Sequence, residues 1–173
     1  MSDNPHRADD PHSRVNYRRL IAWETRIARE APLLRSLLDR APERSVLDVG
    51  CGTGEHVAFF AGADVRAVGL DRSEAMLGAA KDHEASGKGR FVLGDAMDAR
   101  GALGDEPSFG LAICLGNMLP HIAEDTDLAR FLASLREVLL PGGLLLIQLL
   151  NYEGILATEK RALPVNLRPG EDG

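Results

Sequence analysis

The chain has 173 residues, of which 45% are hydrophobic and 27% are charged, and its net charge is −6. These values are typical of one globular domain with a sizeable core. The negative charge and the low aromatic content of 5% argue against a nucleic-acid or anionic-membrane partner. Two cysteines are too few for a disulfide framework, and no spacing of Cys and His suggests a metal site.

The polar composition of residues 1–13 predicts a disordered tail, followed by one domain over residues 14–173. The longest apolar run, residues 144–150, is much shorter than a membrane span. Since the start of the chain has no apolar targeting segment, the sequence favours a cytoplasmic protein.

Helical periodicity precedes the first strand. Apolar residues at helical spacing predict a helix from about Tyr17 to Glu30. Pro32 suits the first turn of a second helix, which Pro42 would end. The buried side of this second helix is predicted to hold four leucines, Leu33, Leu34, Leu37 and Leu38.

Apolar strands alternate with helices in the rest of the chain. The predicted strands are residues 46–49, 65–70, 90–94, 109–114 and 144–150. Ser73 is expected to cap the helix after the second strand, and residues 128–139 carry the apolar spacing of an amphipathic helix. Apolar strands separated by helices indicate an α/β fold with a Rossmann-like, doubly wound, mainly parallel sheet.

A glycine-rich turn follows the first strand, in the sequence Val46-Leu47-Asp48-Val49-Gly50-Cys51-Gly52-Thr53-Gly54. Such glycines tolerate a positive φ and let a ligand approach the backbone, as in nucleotide-type pockets. The third glycine of a dinucleotide fingerprint is replaced by Glu55, and no Gly-Lys-Ser/Thr follows. We expect a carboxylate there to disfavour a pyrophosphate and to favour a ligand with positive charge.

Carboxylates lie at the ends of the first three predicted strands, at Asp48, Asp71 and Asp95. Asp71 is placed to accept both ribose hydroxyls of an adenosine. Asp95 and a backbone N–H are placed to read an adenine edge, with Met97 packed on the ring. Each acid alone is as well explained as a loop cap. Together, at one edge of the sheet, they favour an adenosine ligand with a cationic end, such as S-adenosylmethionine.

The sequence resembles class I S-adenosylmethionine-dependent methyltransferases from about Val46 to Tyr152. Four segments carry the resemblance in order: residues 46–54, residues 68–71 with Ser73, Met76 and Leu77, residues 94–96, and residues 135–143. It implies the strand order 3-2-1-4-5 and S-adenosylmethionine as cofactor, with S-adenosylhomocysteine as product. It places the methionine portion at Gly50, Gly52 and Gly54, the ribose at Asp71, and adenine at Asp95 with Ala96. The other residues assigned to the cofactor are Trp23, Arg26, Asp48, Cys51, Arg72, Met76, Met97 and Leu115.

A narrower resemblance links residues 114–121 and the upstream Trp23, Arg26 and Glu30 to glycine and sarcosine N-methyltransferases. In that group the helix arginine binds the methionine carboxylate, a role that falls here to Arg26. The resemblance makes Asn117 and His121 the catalytic candidates, one to hold a substrate carboxylate and the other to orient or deprotonate the substrate. Their alternatives are a loop cap and a structural hydrogen bond. His56 and His83 are expected on helix surfaces, and Cys114 in the core.

The predicted function is in-line transfer of a methyl group to a small-molecule acceptor, through nitrogen more than oxygen. The Asn/Asp-Pro-Pro-aromatic loop of enzymes that methylate flipped nucleobases is absent after the fourth strand. Two alternatives remain open. One is a non-catalytic or regulatory subunit that binds the cofactor, and the other is a nicotinamide-dependent oxidoreductase.

The fifth predicted strand would leave an apolar edge of the sheet unpaired, which folded proteins usually avoid. We therefore expect further strands of the domain beyond this chain, with weak or absent catalysis by these residues alone. The alternative is that the tail, or a second copy in a homodimer, covers the edge.

Overall fold

The computed structural model describes residues 21–87, 89–116, 118–122 and 124–157. The predicted tail at residues 1–13 lies outside these ranges. Among the described residues, no helix is long and apolar enough to cross a membrane.

The described part of the chain folds around one five-stranded parallel sheet. Its strands are β1 (Ser45–Val49), β2 (Arg66–Asp71), β3 (Arg90–Leu93), β4 (Phe109–Cys114) and β5 (Leu139–Ile147). They lie in the order β3-β2-β1-β4-β5, and every neighbouring pair is parallel. The predicted α/β class, parallel sheet and strand order are therefore confirmed. The order reverses beside β1, which creates a crevice at the carboxyl ends of β1 and β4.

Helices cover both faces of the sheet. They are α1 (Trp23–Arg40), α2 (Glu55–Ala61), α3 (Glu74–Ala85), α4 (Ala99–Leu103), α5 (Asp125–Val138) and α6 (Tyr152–Ala157). Alternate residues of β1 enter two separate cores: Val46 packs with Leu34 and Val57, whereas Leu47 packs with Phe131. A strand with two buried faces reads as a continuous apolar run, which is why the strands were recognisable in the sequence.

The region before β1 differs from the prediction, because α1 continues through Pro32 instead of beginning anew there. Proline removes the donor to the carbonyl four residues earlier, at Ala28. Both Pro32 and Ala28 are exposed, so water can satisfy that carbonyl. Leu33 was predicted to be buried but is 55% exposed, whereas Leu34 and Leu38 are 1% and 2% exposed.

The β5 strand also differs from the prediction, because it begins at Leu139 and ends at Ile147. Leu139 lies opposite Phe109, and Leu144 lies opposite Leu111, so the extra residues of β5 form a bulge. Gly142 adopts a φ of 77° within it, which a glycine does without strain. The other strand boundaries agree with the prediction to within one residue.

Replacing Pro32 with alanine tests the continuous helix. Pro32→Ala restores a hydrogen-bond donor in the interior of α1, and we expect it to raise the free energy of unfolding by about 1–3 kcal/mol. Urea denaturation followed by circular dichroism measures this change. Leu33→Ala, on the exposed side of the same helix, is the control and should change stability little. A loss of stability in Pro32→Ala would contradict the continuous-helix interpretation.

Candidate functional site

A cavity of about 340 Å³ opens at the carboxyl edge of the sheet. Its wall is formed by the start of α1, the turn after β1, the end of β2, the turn after β3 and the segment after β4. This is the crevice beside the reversal of strand order, where open α/β sheets bind their ligands.

All of the predicted cofactor residues except Gly54 line this cavity: Trp23, Arg26, Asp48, Gly50, Cys51, Gly52, Asp71, Arg72, Met76, Asp95, Ala96, Met97 and Leu115. Gly54 instead caps α2 with a φ of 86°, and a Cβ there would lie 2.6 Å from the Phe91 ring. The lack of a side chain at Gly54 thus permits the φ of the turn and leaves room for Phe91 of β3. Asn117 and the side chain of His121 lie outside the described residues, so their catalytic roles stay predictions.

The glycine turn is fastened to the neighbouring strand by its own backbone. The Gly50 N–H donates to the Leu70 carbonyl at 2.8 Å, and the Gly52 N–H donates to Oδ2 of Asp71 at 2.8 Å. Gly50 and Gly52 have φ values of 71° and 55°, which favour glycine at both positions. The turn is therefore held in place before any ligand arrives.

Asp71 and Asp95 both accept backbone hydrogen bonds at the cavity wall. Oδ1 of Asp71 accepts the Ser73 N–H at 2.9 Å, and Ser73 caps α3 by accepting the Met76 N–H at 3.1 Å. Oδ1 of Asp95 accepts the Met97 N–H at 2.9 Å. Each carboxylate thus caps a turn and also lines the cavity. These backbone bonds fix the direction in which the remaining lone pairs of the carboxylates point.

Asp48 is a buried acid at the cavity wall, 3% exposed. Its Oδ2 atom has no hydrogen-bond partner among the described residues. Burial raises the pKa of Asp48 to about 6; the nearby charge of His56 opposes this rise, and that of Asp71 adds to it. A buried carboxylate with an unpaired oxygen destabilises the ligand-free fold and is suited to a ligand group with positive charge.

Arg26, Glu30 and His56, which we call the Glu30 cluster, connect α1 to α2. The Arg26 Nε–H donates to Oε1 of Glu30 at 3.0 Å, and Nε2 of His56 lies 2.7 Å from Oε2 of Glu30. The Arg26 guanidinium carbon is 5.0 Å from the centre of the Trp23 ring, and His56 meets that ring edge-on at 5.7 Å. Burial raises the pKa of Glu30, but the bond to His56 and the charge of Arg26 outweigh it and lower that pKa.

The surface position predicted for His56 is wrong, because its side chain is 5% exposed and lines the cavity. His56 and Phe60 are four residues apart on α2 and are both buried, a spacing that places them on one helix face. That spacing is the sequence signal that reveals the buried histidine. His83 is half-buried, with its Nε2 3.9 Å from Oε1 of Glu55.

The expected role of Glu55 also requires correction, because its side chain does not line the cavity. Its Oε2 accepts the Thr53 hydroxyl, and it faces a shallow depression between α1, α2 and α3. Glu55 acts on the cavity as a nearby charge that raises the pKa of Asp48 and of Cys51. Position 55 is still a glutamate where a dinucleotide fingerprint needs its third glycine, so that part of the argument is unaffected.

Other lining residues were not assigned a role from the sequence. Besides His56 they are Ile21, Thr53, Leu70, Gly94, Gly116, Met118, Ile122 and Phe131. Phe131 illustrates the reason, since it is fully buried on the core face of α5. Its helical spacing is that of a core residue, and only the folded sheet brings it to the cavity.

The reversed strand order, the glycine turn and the acids at the strand ends define an α/β domain built to bind an adenosine-type ligand. A family model described as a methyltransferase domain matches residues 46–143. The chain belongs to this methyltransferase-domain family, within the class I S-adenosylmethionine-dependent methyltransferases.

Individual proteins agree with this membership. A glycine/sarcosine N-methyltransferase of Parasynechococcus marenigrum (strain WH8102) is 32% identical over 80% of this chain and 49% of its own length. A trans-aconitate 2-methyltransferase of Deinococcus radiodurans is 38% identical over 70% of this chain and 44% of its own length. The solved structure of S-adenosylmethionine-bound CalS10, an amino pentose methyltransferase from Micromonospora echinaspora, has a TM-score of 0.60 at 26% identity. That likeness covers 75% of this chain and 51% of CalS10. The chain spans about half the length of the curated relatives it matches.

Replacing Asp48 with asparagine tests whether its carboxylate is buried with one oxygen unpaired. A folded-state pKa of about 6 lies above the unfolded value, so ionisation of Asp48 removes stability as the pH rises through this range. The full effect is about 3 kcal/mol at neutral pH. We expect Asp48→Asn to gain stability over the wild type at about pH 7.5 but not at about pH 4, in denaturant unfolding without ligand. Asp39→Asn, at an exposed surface pair, is the control. An equal difference at both pH values would refute the assignment.

Proposed function

We propose that this chain forms the cofactor-binding part of an enzyme that transfers the methyl group of S-adenosylmethionine to a small-molecule acceptor, a nitrogen nucleophile before an oxygen one. The observation that carries the proposal is the buried Oδ2 of Asp48, without a hydrogen-bond partner among the described residues, in the wall of a cavity that also holds a guanidinium and two fixed carboxylates. This donor set matches a ligand that combines an adenosine, a cationic centre and an amino-acid group.

The residues present fit S-adenosylmethionine group by group. Asp48 is suited to the cationic end, and Arg26 to the methionine carboxylate, since guanidinium pairs strongly with carboxylates. Asp71 suits the ribose hydroxyls. Asp95 and Ala96 suit the polar edge of adenine, with the apolar Met97 beside them in the lining.

The bound cofactor would supply an activated methyl group. The chain's own residues would bind the cofactor, orient it towards the acceptor and exclude water from both. In this proposal the glycine turn, Arg26 and His56 form one end of the ligand site, and the acids after β2 and β3, which also line the cavity, form the other. Asn117 is proposed to hold the acceptor, and His121 to orient it or to take its proton. Both residues belong to the segment after β4, which borders the cavity.

The preference for nitrogen is supported by the similarity to a glycine/sarcosine N-methyltransferase and to an amino pentose methyltransferase. The similarity to trans-aconitate 2-methyltransferase favours a carboxylic acid as the second candidate acceptor. A homodimer that buries the edge strand β5 remains part of the proposal, as does a location in the cytoplasm.

Calorimetric titration of the chain with S-adenosylhomocysteine and with NADH tests the cofactor. We expect binding of S-adenosylhomocysteine at least about tenfold tighter than that of NADH, because position 55 is not the glycine that a pyrophosphate needs. Binding of NADH without S-adenosylhomocysteine would overturn the proposal. Methyl transfer to glycine, sarcosine, an amino sugar and trans-aconitate, assayed with the longer parent protein, would then separate nitrogen from oxygen acceptors and enzyme from mere binder.

Asp71→Asn tests the ribose site. The variant keeps the shape of the side chain but loses its charge, so we expect S-adenosylhomocysteine to bind about tenfold more weakly. Thermal unfolding without ligand shows whether the turn is still held. Asp39→Asn is again the control, since it removes the same charge far from the cavity lining. Unchanged affinity in a folded Asp71→Asn would remove Asp71 from the site.

A further inference from the structure

Glu30 lies one layer behind the cavity. It does not line the cavity, whereas Arg26 and His56, its two partners, do. One carboxylate oxygen accepts the Arg26 Nε–H at 3.0 Å, and the other meets Nε2 of His56 at 2.7 Å. The Glu30 side chain is 23% exposed, and those of its partners are 15% and 6% exposed. One carboxylate therefore touches a cationic and a titratable member of the wall, on two different helices.

The contact with Glu30 determines how Arg26 presents its donors. Residues 26 and 30 are one helical turn apart on α1 and share a face. With Nε bonded to Glu30, the far end of the guanidinium carries its other four N–H donors. Nη2 lies 3.9 Å from the position that a Cβ on Gly116 would occupy, and Gly116 lines the cavity. The donors of Arg26 are thus held on the cavity side.

The contact with Glu30 also determines where His56 carries a proton. A carboxylate only accepts hydrogen bonds, so the His56 nitrogen at 2.7 Å must be the protonated one. The proton therefore sits on Nε2, and the ring is further fixed by its edge contact with Trp23. The charge of His56 lowers the pKa of Asp48, so this contact also bears on the buried carboxylate in the cavity wall.

We propose that Glu30 is a positioning residue: its carboxylate aims the Arg26 guanidinium into the cavity and keeps a proton on Nε2 of His56, which prepares this end of the site for the amino-acid group of a ligand. The inference rests on the proposed function, since it takes Arg26 as the partner of the cofactor's carboxylate. If the bonds of Glu30 served only to join α1 to α2, replacing Glu30 would affect every part of the cavity equally.

Two ligands separate these roles. S-adenosylhomocysteine carries the amino-acid group, and 5′-methylthioadenosine is an adenosine thioether without it. In calorimetric titrations we expect Glu30→Gln to bind S-adenosylhomocysteine about tenfold more weakly, with less than about a twofold change for 5′-methylthioadenosine. Glu24→Gln removes the same charge from an exposed position of the same helix outside the cavity lining. It should leave both affinities unchanged.

Glu30→Asp keeps the charge but is one methylene shorter, so it serves as the second variant if Glu30→Gln does not fold. It should show a smaller loss that is again confined to S-adenosylhomocysteine. In the ligand-free chain, the ¹⁵N signals of the His56 ring should indicate a proton on Nε2 in the wild type and change in Glu30→Gln.

The outcomes distinguish the two levels of inference. If the wild type does not bind S-adenosylhomocysteine, the proposed function fails and this inference fails with it. If the wild type binds but the Glu30 variants weaken both ligands equally, or neither, the positioning role alone is overturned.

Discussion

The cavity depends on the way in which Asp71 joins two strand ends. Its carboxylate accepts one N–H from the turn after β1 and another from the start of α3. Hydrogen bonds to a charged acceptor are stronger than neutral ones. The Gly50 N–H of the turn also donates to the Leu70 carbonyl, so hydrogen bonds hold the ends of β1 and β2 together. The other parts of the cavity wall adjoin this hydrogen-bonded junction of β1 and β2.

The charges in the cavity wall lower the stability of the ligand-free fold. Asp48 is buried, its Oδ2 has no hydrogen-bond partner among the described residues, and the nearby negative charges of Asp71 and Glu55 raise its pKa further. A site that keeps such a group is less stable than one lined by neutral residues. The same arrangement concentrates negative potential where a cationic ligand would lie, so binding and folding are linked through one buried side chain.

Local patterns predict the strands and the glycines and acids at their ends, whereas the strand order and the other cofactor residues were predicted through the resemblance to class I methyltransferases. Strands buried on both faces are continuous apolar runs, and the glycine turn and the acids at the strand ends are adjacent in sequence to the strands they follow. The misplaced features depend on tertiary context. Solvent on one side of α1 allows Pro32 inside the helix, and pairing with β4 draws residues 139–143 into β5. Neither the position of the His56 side chain in the cavity wall nor that of the Glu55 side chain outside it is encoded by residue type alone.

The continuity of α1 has a mechanical consequence. One end of this helix supplies Trp23 and Arg26 to the cavity, and further along Leu34 and Leu38 are buried against the sheet. Its 18 residues form a rod of about 27 Å without a break at Pro32. The wall that Trp23 and Arg26 form is therefore held in place by the burial of Leu34 and Leu38. Conversely, any force that lifts α1 from the sheet would expose this wall of the cavity to water.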